Sequence, residues 1–446
     1  MMHDLRDALR RAGARFWLRD VRAPASLVRG APGAPDAQDL LRFDLRIEDG
    51  SITALAPAGT AGEGPTLDGG QLWPGFVDTH THLDKGHIWP RASNPRGDFP
   101  GALAAVMSDR GSAWTAEDIA ARADFALRCA HAYGTVAIRT HLDSYLPHAH
   151  VNWAVFRRLR EQWAGRIALQ LVSIAPLDRF AGPEGEELAD LVAESGGALG
   201  MVTQLSGGLD AALPPDYVPM LERFFALAEA RGLDIDLHLD ETGEQGSRGL
   251  AEVAAVALRR GFKGRVQVGH CCSLAAQPEA FARETIMRVA GAGFDVVSLP
   301  MCNIYLQDRV AGRTPRWRGV TLLHEMRAAG INVSVASDNT RDPFYAYGDL
   351  DMVELFREAT RILHLDHPPA GWAATVGANP ARAMGIEAGV IRLGAIANLV
   401  LFRARGMTEW LSRPQADRIV LRGGRVLDAA PPDHRELDAL FGGAVG

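Results

Sequence analysis

Cysteine is scarce. The 446-residue chain holds four, with no C-x-x-C pair among them, which excludes a disulfide scaffold. Cys271 and Cys272 are adjacent and could not readily reach each other in a relaxed bridge; they and Cys129 read as packing residues, and a reducing, cytoplasmic setting is expected. Positive charge is not in surplus either. Lys and Arg number 47 against 54 Asp and Glu, for a net charge of -7, so the clustered basic face of a nucleic-acid binder is missing. No run approaches the roughly 18 apolar residues of a membrane span. The start, Met-Met-His-Asp-Leu-Arg-Asp, meets charges of both signs before the apolar region of about 7–15 residues that a secretory signal needs. No internal repeat of solenoid period occurs. What remains is a chain with 47% hydrophobic and 23% charged residues, a globular composition. It is long enough for two or three domains, or for one large barrel with an appendage.

The patterning divides the chain into three zones. Residues 1–70 carry alternating runs such as Phe43-Asp44-Leu45-Arg46-Ile47, and residues 387–446 resume them in Ala397–Phe402 and Arg418–Gly424. Period-two alternation predicts strands, and a β-rich segment at each end predicts one small β-sandwich domain built from both. Between them, residues 71–386 alternate strand-like and helix-like stretches. The candidate strands are Gly75–His82, Thr135–Asp143, Arg166–Ala175, Leu199–Ser206, Asp234–Glu241, Arg265–Cys271, Phe294–Pro300 and Asn332–Asp338. Eight strands alternating with helices predict an α/β fold, a (β/α)8 TIM-like barrel. An open doubly wound sheet is the competitor, but the first βα turn lacks the G-x-G-x-x-G fingerprint.

The chemistry-bearing residues fall at the ends of those strands. The first strand ends Asp78-Thr79-His80-Thr81-His82, and side chains at i and i+2 share one face of a strand. His80 and His82 therefore point together, as two imidazoles suited to zinc or iron do; two hydrogen-bonded surface histidines would show the same spacing. His238, His270 and Asp338 each close a different candidate strand, with Asp240 and Glu241 just after His238. The carboxyl ends of barrel strands are where such enzymes build their sites. A convergence of four histidines, an aspartate and a trailing glutamate there points to one shared metal site.

These motifs resemble the amidohydrolase superfamily, and within it the bacterial cytosine deaminase branch. The likeness runs over about residues 72–386 and is densest in Pro74–Asp84, Arg139–Asp143, His238–Glu241 and Ser337–Pro343. It implies that His80, His82, His238 and Asp338 bind one divalent ion, zinc or iron. It further implies that Glu241 shuttles protons and that His270 polarises the reacting group, with Asp338 both ligand and base. The candidate fourth strand, Leu199–Ser206, has no lysine, which argues against a carbamylated lysine bridging two metals. The other zinc-deaminase pattern, H-x-E with P-C-x-x-C, is absent.

The expected reaction is hydrolytic deamination of a small nitrogen heterocycle, a cytosine-like aminopyrimidine or an aminotriazine, with water as co-substrate. One alternative is cleavage of a cyclic amide or N-alkylamino C–N bond; another is a metal-retaining binding protein without turnover. The substrate contacts are less determined. Phe344 matches the position of a stacking aromatic in the family. The family's reading Gln after strand 3 is missing from Ser173–Asp178, and Asn339 stands where it has a second Asp, which puts cytosine itself in doubt. Gln204 is a candidate replacement amide. Gln307 lies in Asn303–Gly319, expected as a specificity loop or a solvated charged face. His141 is expected behind the ligands or in plain packing, and Lys85 and His87 facing an anionic substrate or water. No nucleic acid or membrane is expected as a partner, and a homo-oligomer is left open.

Overall fold

The computed structural model describes residues 2–203, 205, 213–368 and 370–442. Two compact units share the chain. One comprises Met1–Asp78, Arg128–Ala137 and Asp351–Pro432; the other comprises Thr79–Leu127, Ile138–Leu350 and Asp433–Gly446. These limits differ from the sequence zones 1–70, 71–386 and 387–446. Patterning marks where alternation resumes, whereas compactness follows packing. Helix Met352–Leu363 precedes the second β-rich stretch, yet its Phe356 lies edge-on at 5.7 Å from both Trp73 and Trp410.

The first unit is organised by a seven-stranded sheet. Its order is Arg425–Val426, Ile419–Arg422, Leu399–Phe402, Gln71–Pro74, Arg15–Pro24, Leu40–Glu48 and Ser51–Pro57. Strands from both chain ends meet where Leu399–Phe402 pairs antiparallel with Gln71–Pro74. The sheet curls over on itself: Ala397 N–H donates to the Gly50 carbonyl at 2.8 Å, although Ala397 leads into Leu399–Phe402 and Gly50 links Leu40–Glu48 to Ser51–Pro57, with Gln71–Pro74 and Arg15–Pro24 between them in the strand order. Leu18, Phe43, Leu45, Leu72, Leu401 and Leu421 accordingly share one apolar cluster. This is the sandwich-like closure of one continuous sheet.

The barrel strands are Phe76–Thr81, Thr135–Asp143, Ala168–Ile174, Leu199–Val202, Ile235–Leu239, Val266–His270, Asp295–Ser298 and Asn332–Val335. The last five form a parallel sheet in sequence order, and the first three form another. Parallel bridges Val172↔Ala198 and Thr81↔Asp338 join the two sheets at both seams, closing a (β/α)8 barrel. Several of the helices between strands end in a left-handed glycine, as in Tyr217–Arg231 followed by Gly232 at φ 63, where such a residue terminates a helix at least cost. Among the described residues no helix is long and apolar enough to cross a membrane.

Candidate active site

The first barrel strand turns both of its histidines to one point, as the pleat requires. His238 Nε2 lies 3.0 Å from His80 Nε2 and 3.1 Å from His82 Nε2. Asp338 Oδ1 joins them at 3.3 Å from His82 Nε2 and 3.6 Å from His80 Nε2. Ligand atoms around a tetrahedral zinc, at about 2.0–2.1 Å from it, lie about 3.3 Å from one another, so this constellation has the dimensions of a coordination shell. Burial, reinforced by neighbouring histidines and, at His82, by Lys85, holds the pKa values of His80, His82 and His238 well below the usual imidazole range. The rings are therefore neutral, the form that coordinates. His80, His82, His141 and His238 offer ring nitrogens all within 4.8 Å of one another, and His80, His270 and Asp338 form a second such group. The residues fit a metal ion.

Backbone geometry aims these groups. His270 and Asp338 stand at strand ends with φ of 66 and 64, and Asp240 follows His238 with φ 51. Non-glycine residues adopt this left-handed region at a cost, and such strain concentrates at functional sites. Asp338 N–H donates to the His80 carbonyl at 2.9 Å, locking the last strand to the first. Gly269 leaves space for a ring: a Cβ there would meet His80 Cε1 at 3.0 Å and Nδ1 at 3.2 Å.

Beneath the histidines lies a polar layer that sequence reading did not find. Asp236 accepts from Arg139 and from Gln267, both at 2.8 Å, and its other oxygen is 3.2 Å from His141 Nε2. His141 lies 4.0 Å from His80 between ring centroids, with Asp236 on its other side. Lys85 turns inward rather than toward water, its Nζ 2.6 Å from Asp143 Oδ1 and 3.2 Å from His82 Nδ1. Arg110 contacts the other Asp143 oxygen at 2.6 Å. Burial opposes the Lys85 charge, but Asp143 and Asp84 outweigh it and raise its pKa. His87 is buried as well, against Phe125 at 4.9 Å.

Glu241 and His270 form a second group at the site. Glu241 Oε1 is 3.2 Å from His270 Nδ1. Burial, and then the Asp338 charge, push the Glu241 carboxyl well above the usual carboxylate range. Burial lowers His270 to about 3. The short helix Pro300–Leu306 inserts Asn303 between them. The expected loop over Asn303–Gly319 therefore begins in a helix, started by Pro300 in its first turn, where the missing N–H is least costly.

A cavity of about 450 Å³ opens over these residues, lined by His82, Lys85, His238, Glu241, His270, Asp338, Asn339 and Phe344, among others. Its wall is largely apolar, with Phe99, Leu103, Met107, Ile174, Ala175 and Pro176. Phe344 faces this space and stacks edge-on with Phe99 at 5.4 Å. Asn339 lines it too, yet its amide donates to Asp342 at 2.7 Å. Gln307 is not among the lining residues; its Nε2 donates to the Glu241 carbonyl at 3.2 Å, which orients the glutamate instead of a substrate. Gln204 lies outside the described residues.

Known proteins share this arrangement of fold and sequence. The model of the Amidohydrolase family matches residues 195–428. A pterin deaminase of Rhizobium rhizogenes (strain K84) is 52% identical over 434 residues, 96% of this chain and 97% of its own. N-isopropylammelide isopropyl amidohydrolase of Pseudomonas sp. (strain ADP) is 28% identical over 379 residues, 83% of this chain and 89% of its own. The crystal structure of 5-methylcytosine deaminase from Klebsiella pneumoniae liganded with 5-fluorocytosine superposes with a TM-score of 0.78 at 24% identity, covering 94% of this chain and 98% of that one. With half the chain inside the family model and nearly all of it aligned to a majority-identical relative, the protein belongs to the amidohydrolase family and is a hydrolytic enzyme acting on C–N bonds.

Proposed function

We propose that this enzyme deaminates a 2-amino-4-oxopteridine, a pterin, by hydrolysis, using one divalent ion, zinc or iron, held by His80, His82, His238 and Asp338. The observation that carries the substrate class is the 52% identity to a pterin deaminase across 96% of the chain. The cavity supports it. A pterin is an aminopyrimidinone fused to a second ring, and where a cytosine reader would place an amide, this wall offers Ile174, Ala175 and Pro176. An apolar wall favours a flat fused ring, and about 450 Å³ is within the usual size of small-molecule pockets.

When bound, the ion supplies Lewis acidity, which brings the pKa of water from about 15.7 toward 7. The chain's own groups do the rest. Asp338 takes the proton of the attacking water. Glu241, as the acid, gives its proton to the ring nitrogen beside the amino-bearing carbon and takes one back from the hydroxyl on that carbon as the carbonyl forms, while the proton held by Asp338 passes to the amino group, which leaves as ammonia. His270 donates toward the oxygen on which charge develops. Phe344 and Phe99 hold the ring plane and exclude water. The products are ammonia and the 2,4-dioxopteridine.

The test is a metal-loaded preparation offered the pterin, cytosine, adenine and an N-alkylaminotriazine, with ammonia and amine assayed separately. Ammonia from the pterin in preference to the others is expected. Alkylamine release from the triazine with no ammonia from the pterin would instead establish the activity named for the 28%-identical relative.

A further inference from the structure

Asn303 is fully buried on the helix that follows the seventh barrel strand. Its Nδ2 meets two partners at once, Glu241 Oε1 at 3.2 Å and His270 Nδ1 at 3.0 Å. Those two atoms are themselves 3.2 Å apart, a separation at which two lone pairs repel unless hydrogens are placed between them. A primary amide has two hydrogens on its nitrogen and none on its oxygen, so its NH2 serves both acceptors. Turned over, the amide would set its own oxygen against the Glu241 carboxyl oxygen. Glu241 thus decides which way Asn303 faces, and Asn303 decides the state of the ring. An amide nitrogen only donates, so His270 Nδ1 accepts, and a neutral imidazole then carries its proton on Nε2. His270 Nε2 has no hydrogen-bond partner within the protein, and the ring lines the cavity.

We propose that Asn303 is a positioning residue that locks His270 in the Nε2–H tautomer, so that a donor faces the reacting oxygen. By occupying Glu241 Oε1, it also leaves the proton in transit on Oε2. The inference deepens the deaminase reading and rests on it for the meaning of the tautomer, not for its existence. Without the amide, the 3.2 Å contact between His270 and Glu241 is satisfied by moving the ring proton to Nδ1. That turns a lone pair toward the developing charge.

The experiment uses the full chain, zinc-loaded and labelled with 15N in its histidines, with His270 assigned by comparison with His270→Gln. Nitrogen shifts report which ring atom carries the proton. The wild type is expected to show Nε2–H. Asn303→Asp keeps the shape but only accepts, so it should move the proton to Nδ1. Its kcat on 2-amino-4-oxopteridine should fall by about 10²–10³, the cost of losing an oxyanion donor, while KM changes by no more than about threefold, as for an interaction made in the transition state. A wild-type ring protonated on Nδ1 overturns the proposal, whether or not the variant folds. So does an Asp variant that keeps Nε2–H. Because the tautomer is read without turnover, a protein that leaves the pterin intact but shows the expected tautomers would defeat the deaminase reading alone.

Discussion

The curled sheet and the mouth of the barrel both bury polar groups, and they treat them in opposite ways. In the sheet, Asp44 is fully buried and saturated: it accepts from the backbone N–H groups of Asp20, Gly59 and Ala61 at 2.7, 2.9 and 3.1 Å. Around it the cluster of Leu18, Phe43, Leu45 and Leu401 is apolar throughout. In the barrel, His80 and His238 are buried too, yet Nδ1 of each lacks a hydrogen-bond partner and the Nε2 atoms crowd one another at 3.0 Å. Buried polar groups are normally satisfied. One region spends its polar groups on holding the chain; the other keeps them in readiness for something that binds.

That contrast can be broken in order of severity. The largest effect is expected from His238→Ala, which removes a nitrogen from the centre of the cluster. Elemental analysis should show the metal falling from about one equivalent, the count for a single mononuclear site, to background, with ammonia release lost alongside. A variant that keeps its metal would remove His238 from the coordination shell. Next comes Glu241→Gln, which preserves the shape and the metal but holds no transferable proton. Steady-state kinetics should show kcat reduced by about 10²–10⁴, the usual worth of a general acid–base group.

The sheet should respond the other way. Leu401→Ala opens a cavity in the apolar cluster and should cost about 2–5 kcal/mol in denaturant unfolding, with the kcat of the folded enzyme unchanged. A fall in kcat matching that of Glu241→Gln would erase the distinction between the two regions.

The smallest effect sharpens the comparison inside the barrel itself. His87 is buried with neither ring nitrogen hydrogen-bonded, and burial lowers its pKa from 6.5 to about 3. Its folded pKa lies below the unfolded one, so the stability it contributes is present above pH 6.5 and is lost as pH falls toward 3. At pH 4.5 the linkage amounts to about 2–3 kcal/mol, at 1.36 kcal/mol per pKa unit. His87→Phe, which keeps the contact with Phe125, should flatten the stability–pH curve across that window. An unchanged acid limb would show that other groups carry it.

Much of this site was legible because it follows local periodicity. The pleat pairs His80 with His82, and the strand-then-helix rhythm sets His238, His270 and Asp338 at strand ends on the rim. The helical pattern read over Thr115–Ala132, Val218–Arg231 and Pro278–Gly291 falls within a residue of the helices Ala116–Tyr133, Tyr217–Arg231 and Glu279–Ala292 for the same reason. Side chains whose partners come from distant strands were not legible. Lys85 has no local reason to turn inward until Asp143 of the second strand is beside it. Gln307 offers an amide to any loop reading, and only the backbone of Glu241 shows where that amide is used.

Residue order alone therefore dictated the alternation that builds a barrel, the pairing of His80 with His82 on one face, and Glu241 just after His238, since each depends on local spacing along the chain. The tertiary structure alone decided which way Asn303 faces, which atom of His270 is left to face the cavity, and that Asp236 stands behind His141. Hydrogen-bond direction is a relation between atoms brought together from distant parts of the chain, and closing the barrel is what brings them together.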